Sequence, residues 1–288
     1  MNLDIILIII TLIALIIASI TDFKKREIPD FLSYSLLSTV IFIKILQAII
    51  ERSFTPIIYG LIGFTVFFAI ALFMYYTKQW GGGDSKVLMS LGIVFSEYPK
   101  TLLNYFTPNL NIPILASLFI NILLLGSFYG IFYSMFLAIK NRKTFIEELK
   151  KVKSKNTRHY LISALIILAL SFLIKEPKQR LLILFLAFIL LISPYLITYI
   201  KIIEKSCMIK KIKTNKLTEG DWINQDIKSK DKTIYSKKSL GVTIEQIQKI
   251  KKLNLKYVIV KEGIPFIPSF LLAFIVTLIY GNILLFFL

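Results

Sequence analysis

One cysteine, one histidine and only 17 acidic residues occur in this chain of 288 residues. With Cys207 alone, neither an intrachain disulfide framework nor a CxxC metal site can form. His159 stands alone as well, which excludes the HExxH pair of zinc proteases. A Ser-His dyad would have to draw on His159, which sits in the basic stretch Lys155-Asn156-Thr157-Arg158-His159. An interfacial loop residue is the expected role there. No metal site and no cofactor are expected. The acids are outnumbered by 35 Lys and Arg, giving a formal net charge of +18. No basic motif interleaved with aromatics is present, so nucleic acid is not an expected partner.

What the chain has in quantity is apolar surface. Hydrophobic residues make up 56%, with 23 Phe and a mean hydropathy of +0.72. One soluble core of this length could not hide so much. Eight apolar segments are visible, at about 3–21, 31–50, 56–76, 85–97, 112–139, 160–174, 181–203 and 264–288. Blocks of about 20 residues match the roughly 30 Å hydrocarbon thickness of a bilayer. The first lacks a basic start and a small-residue cleavage pattern, so it is expected to be retained as a span. The fourth is short: thirteen residues reach only about 20 Å.

Charge decides how to count it. If all eight cross, 29 of the 35 Lys and Arg face one side, in loops 22–30, 77–86, 140–159 and 201–262. Five face the other, and Lys44 lies within a span. The positive-inside rule then predicts eight crossings, both termini outside and the basic loops in the cytoplasm, where they would also meet anionic lipid headgroups. The expected fold is an all-α polytopic membrane protein with a small cytoplasmic α+β insert.

The insert announces itself by composition. Residues 204–262 carry 15 Lys and 7 acids and alternate short strand-like and helical pieces. Thr243-Ile244-Glu245-Gln246 has the form of a capping box before a helix whose Ile247, Ile250 and Leu253 share a face. Tyr257–Val260 reads as a strand. The predicted organisation is a membrane domain over 1–203, the basic insert over 204–262 and a final transmembrane helix over 263–288.

Acids near membrane depth are few, and each needs a reason. Asp22 ends the first span in Thr21-Asp22-Phe23-Lys24-Lys25-Arg26-Glu27-Ile28-Pro29-Asp30, and Asp84 opens the fourth in Gly81-Gly82-Gly83-Asp84-Ser85-Lys86. Charge parity puts both on the cytoplasmic face, although 61 residues separate them. Two carboxylates at one boundary suggest an aspartyl dyad. Brought close, they cannot both ionise cheaply, and one keeps a proton. The ionised one can activate water while the protonated one polarises a peptide carbonyl. Gly81, Gly82 and Gly83 would let a substrate backbone approach and allow positive φ. Alternatively, Asp84 is a helix cap and Asp22 a flanking charge answering Lys24, Lys25 and Arg26. Asp30 is expected to cap the second span, with a minor claim on the dyad. Lys86 reads equally as a group beside the dyad or as an interfacial snorkelling residue.

In these stretches the chain resembles the type IV prepilin peptidases, a group of GxGD aspartyl membrane proteases, and among them the archaeal preflagellin and prepilin type. The resemblance rests on Gly81-Gly82-Gly83-Asp84, on Asp22 followed by a basic run and Ile28-Pro29, and on Lys86. It extends to Leu217-Thr218-Glu219-Gly220-Asp221-Trp222, Gly241-Val242-Thr243 and Glu262-Gly263-Ile264-Pro265-Phe266-Ile267-Pro268. It implies a membrane aspartyl endopeptidase with catalytic Asp22 and Asp84, supported by Gly81, Gly82, Gly83 and Lys86. By the same resemblance, the substrates would be prepilin-like or archaellin precursors whose short basic leaders are cut at the cytoplasmic face. The zinc module and methyltransferase activity of many bacterial relatives are not implied. Asp30 also stands where the bacterial pattern favours Asn. The rival reading is an ion-coupled transporter using Asp22 and Asp84 as ion ligands. It predicts acids near the bilayer midplane and inverted repeats, neither of which the sequence displays. A structural assembly factor docking through the insert would leave both aspartates unexplained.

Overall fold

A computed structural model describes residues 3–151, 158–229, 232–253 and 255–286. Each of the eight apolar segments forms a helix. Five are long and apolar enough to cross a membrane: α1 (Leu3–Lys25), α2 (Asp30–Glu51), α3 (Thr55–Tyr76), the later α5 (Ile114–Lys140) and α8 (Pro177–Ile203). This is a multi-pass membrane protein. The other three are shorter: α4 (Gly82–Val94), α7 (Arg158–Ser171) and α10 (Ile267–Tyr280). A short amphipathic helix, α6 (Arg142–Lys150), follows α5. The last segment is shorter than its sequence boundaries of 264–288 suggest. Gly281, at φ 71°, ends α10 and hydrogen-bonded backbone from Asn109 closes over it. His159 lies in the first turn of α7, not in the preceding loop, of which residues 152–157 are outside the described residues.

The inner face of α1 is made of small and polar groups. Leu7, Thr11, Ala14, Leu15, Ala18, Ser19 and Asp22 are buried, at helical spacing, while Ile9, Ile13, Ile16, Ile17 and Ile20 are exposed. Between membrane helices there is no water to drive association, so small residues that permit close packing mark the protein-facing side. That stripe carries Asp22 inward. Helix α4 is enclosed by α2, α3 and α1, and nearly every residue from Ser85 to Val94 is buried. Its thirteen residues are covered by neighbouring helices over most of their length. At its contact with α3, Gly63 and Gly92 face each other so closely that a Cβ on Gly63 would lie 2.0 Å from the Gly92 carbonyl oxygen.

Helix α10 packs between α1 and α5. Asn121 on α5 fastens its far end, donating to Thr277 Oγ1 and to the Gly281 carbonyl, both at 2.8 Å. Phe266, at its near end, closes on Gly126 of α5, where any Cβ would meet the ring at 2.5 Å. Helices α7 and α8 pair as a hairpin.

Between α8 and α10 lies a separate α+β unit with its own core of Leu217, Ile223, Ile227, Tyr235, Val242, Ile247, Ile250, Val258 and Val260. Strand β5 (Tyr257–Lys261) is central, antiparallel to β1 (Ile209–Lys213) on one side and β2 (Trp222–Ile223) on the other. Strands β3 (Ile227–Ser229) and β4 (Lys232–Tyr235) form a hairpin. Helix α9 (Ile244–Lys252) begins as its sequence predicts: Thr243 N–H donates to Gln246 Oε1 at 3.0 Å and Gln246 N–H to Thr243 Oγ1 at 3.3 Å. Ile247 and Ile250 are its buried face.

This unit holds a pH-sensitive group. Burial, reinforced by the charges of Glu27 and Glu262, raises the pKa of Asp221, although the Thr218 N–H opposes this. The folded unit thus takes up a proton at higher pH than the unfolded chain, so this residue adds stability as pH falls. Asp226, held low by the Lys237 N–H, acts with the opposite sign. Asp221→Asn, which keeps an acceptor for Thr218, should therefore be more stable than wild type at neutral pH. Its advantage should shrink as pH falls and the Asp221 carboxyl takes up its proton. Thermal midpoints of the two proteins as pH is lowered test this, and a pH-independent difference would contradict it.

Candidate active site

Asp22 stands in the last turn of α1, 7% exposed. Its own carbonyl accepts the N–H of Arg26 at 2.9 Å, and Arg26 takes a left-handed φ of 60°. This turn stops the helix and sends the chain through Ile28-Pro29 into α2. The Asp22 carboxylate accepts the backbone N–H of Ile267 at 3.1 Å. Ile267 is the first residue of α10, where Pro268 suits the first turn and the N–H groups lack intrahelical acceptors. The start of α10 thus holds an anion-accepting group directly against Asp22.

Asp84 is the third residue of α4, with Gly81 at the N-cap position. Its carboxylate accepts the Gly81 N–H at 3.0 Å, closing the turn on itself. Ser85 donates to the Gly81 carbonyl at 3.1 Å and bonds the α3 backbone at Ala71 at 3.3 Å. Trp80, buried just before the turn, packs on Phe266 and Phe270 with ring centroids 5.6 and 5.2 Å apart, which pins the Gly-Gly-Gly-Asp turn to the start of α10.

The glycines are needed for closeness, not for unusual backbone. None of Gly81, Gly82 and Gly83 has positive φ, contrary to the expectation from the sequence; in this loop the left-handed residue is Lys78, at φ 58°. Gly83 is the constrained one, since a Cβ there would lie 2.9 Å from the Ile28 side chain. Its bareness lets the α1–α2 turn settle against the start of α4.

These contacts bring Asp22 and Asp84 together. Asp84 is half-buried, and the charge of Asp22 reaches it. Lys86 and Asp30 are not brought into the pair. Lys86 Nζ sits 2.6 Å from Asp30 Oδ1 and 4.7 Å from the centre of the Tyr34 ring. Asp30 is the first residue of α2 and makes no side-chain cap there, because Pro29 occupies the cap position. Among the described residues no group of three or more His, Cys, Asp or Glu could hold a metal ion.

Three contributors went unread in the sequence. The Ile267 N–H has no side-chain identity to notice. Arg26 looked like one more charge in a basic run, yet its guanidinium reaches α5, bonding the Tyr133 hydroxyl and lying over that ring. Tyr129, four residues earlier on α5, packs edge-on against Phe23 with centroids 6.4 Å apart. Two tyrosines one turn apart in a mostly apolar span were the available signal.

The profile of the Type IV leader peptidase family matches residues 9–135, which include Asp22, Gly81–Gly83, Asp84 and Tyr129. The preflagellin peptidase of Methanocaldococcus jannaschii is 30% identical over 129 residues, 45% of this chain and 55% of that protein. The preflagellin peptidase of Methanococcus maripaludis is 27% identical over 133 residues, 46% of this chain and 57% of that one. That of Methanococcus voltae is 33% identical over 89 residues, 31% and 38% respectively. The matched stretches thus span little more than half the length of the first two relatives and less than half of the third. No solved structure gives a significant match.

Proposed function

We propose that this chain, whose residues 9–135 match the profile of the type IV leader peptidase family, is an aspartyl endopeptidase that removes leader peptides from preflagellin and prepilin-like precursors at the cytoplasmic membrane face. The observation that carries this reading is the meeting of Asp22 and Asp84 at adjoining helix ends, each held by a backbone N–H. One proton is shared by the pair, because two like charges this close are costly in a water-poor site. Asp22 is the better seat for the negative charge: an amide N–H at a helix start and the Arg26 charge both face it. It takes a proton from water as the oxygen attacks the scissile carbonyl. Asp84 gives its proton to the carbonyl oxygen, forming a tetrahedral diol. Proton return to the departing nitrogen then breaks the C–N bond. Gly81 and Gly82 carry no side chain that would bar a substrate strand from this turn, and the Lys86–Asp30 pair flanks it. The cytoplasmic placement is supported by the 29 basic residues that the crossing parity puts on this side.

Membranes containing the protein, incubated with a panel of leader-bearing precursors and a strong chelator, test it. Cleavage at one bond ahead of the hydrophobic segment, undiminished by chelation, is expected. In the same cells, a cysteine replacing Lys25 or Lys78 in a Cys207→Ser background should resist an impermeant thiol reagent until lysis, and one replacing Arg52 should react at once. Zinc-dependent cleavage, or labelling of the Lys25 and Lys78 positions from opposite sides, would overturn the assignment.

A further inference from the structure

Beside the aspartates lies a second polar wall that the chemistry above leaves idle. Five buried side-chain nitrogen or oxygen atoms lack a hydrogen-bond partner among the described residues, and two of them meet here: Nη1 of Arg26 and the hydroxyl of Tyr129. The others, on Ser33, Thr101 and Tyr235, are scattered. A buried donor without a partner is costly, so such groups are rare and their coincidence at one site calls for a cause.

Both groups are held firmly in place. Arg26 uses Nη2 on the Tyr133 hydroxyl, and its guanidinium lies 5.2 Å from that ring's centre. The chain turns at Arg26, whose backbone is left-handed at φ 60°, and the guanidinium meets α5 at Tyr133. Tyr129 is stacked on Tyr133 at 5.8 Å and set edge-on to Phe23, the residue after Asp22. The charges of Asp22 and Arg26 both reach the Tyr129 hydroxyl, and that of Arg26 reaches Asp22. Two preoriented donors, one cationic and one neutral, therefore border the aspartates on the α5 side.

We propose that Arg26 Nη1 and the Tyr129 hydroxyl form a binding subsite that grips a main-chain carbonyl oxygen of the substrate next to the scissile bond. This rests on the peptidase reading above. A carbonyl suits the subsite because it is acceptor-only, has two lone pairs for two donors and carries no charge to disturb the shared proton. Every peptide substrate offers one at a fixed spacing from the bond to be cut. Contacts made equally in bound substrate and transition state act on KM and leave kcat largely alone.

Tyr129→Phe is the decisive variant, since it deletes one oxygen and keeps both ring contacts. It should raise KM for a leader-bearing precursor about tenfold, with kcat within about threefold of wild type. Its thermal midpoint should be equal or higher, because the deleted group is unpaired in the free protein. Arg26→Lys, which keeps the charge but loses the fork, should raise KM similarly. The double variant should be less than additive if both hold one oxygen. The Asp84→Asn protein supplies an independent measure: precursor binding should weaken about tenfold when Tyr129→Phe is added. Unchanged KM and unchanged binding in Tyr129→Phe, in a protein that still cleaves, would overturn the subsite and leave the peptidase reading standing. A lowered midpoint with KM unaltered would show a purely structural hydroxyl and overturn it equally. Absence of any cleavage by wild type would remove the peptidase reading, and this inference with it.

Discussion

Asp22→Asn and Asp84→Asn should each lower precursor cleavage by on the order of 10³-fold or more while leaving folded protein in the membrane. Asparagine keeps a carbonyl oxygen for the Ile267 or Gly81 N–H, so the helix-end contacts that position each residue survive. What disappears is the ability to pass a proton. Residues acting as a unit are not additive, so the double variant should be scarcely worse than either single one. Asp30→Asn is the matched control. Its carboxylate is 70% exposed in the pair with Lys86, and exposed ion pairs contribute little, so most activity should remain. Cleavage rates and far-UV spectra of detergent-purified proteins separate the cases. Near-normal processing by Asp22→Asn would show that the proposed chemistry is wrong.

Gly92→Ala should be among the most damaging single-methyl changes in the membrane core. The added Cβ would lie 2.4 Å from the Gly63 carbonyl oxygen and 2.8 Å from Phe67 Cβ; Gly63→Ala would place its Cβ 2.0 Å from the Gly92 oxygen. Backbone cannot swing aside as a flexible side chain can, so α3 and α4 must separate. Overpacking of this kind costs about 1–3 kcal/mol or more. Because α4 carries Asp84 at its start, the displacement should also disturb the carboxylate pair, lowering activity together with the thermal midpoint. Gly130→Ala, with nothing within 4 Å, should stay close to wild type, and Gly82→Ala, with its nearest neighbour at 3.8 Å, should keep a near-wild-type thermal midpoint. A Gly92→Ala protein as stable as Gly130→Ala would refute this view of the α3–α4 seam.

Much of this architecture is written locally. The inward stripe of α1, from Leu7 through Thr11 and Ala18 to Asp22, repeats at helical spacing, so the direction of Asp22 can be read from its own helix. Thr243 and Gln246 mark the start of α9 because a capping box involves four consecutive residues. Contacts across long sequence separations are harder. The Asp22 partner is a main-chain N–H 245 residues away, and no side-chain type encodes it. Lys86 could be placed one turn into α4, but its long stem lets the ammonium swing to Asp30, and sequence spacing does not choose between the destinations. The glycines before Asp84 suggested left-handed backbone; the actual constraint, Ile28 against Gly83, comes from another loop. Tyr129 and Arg26 were visible as residues, but only their packing leaves two donors unused.

The bond between Asp22 and Ile267 also orders events during synthesis. Asp22 leaves the ribosome early, and the α10 residue that holds it follows 245 residues later. At roughly 5–20 residues per second, that gap lasts about 10–50 s. Over this interval the first span can enter the bilayer and α4 can dock, yet Asp22 lacks its amide partner and Trp80 lacks the Phe266 and Phe270 rings. A nascent chain therefore carries both aspartates without the geometry that aligns them. On the peptidase reading proposed above, the two aspartates reach their working geometry only once the α10 segment has joined them.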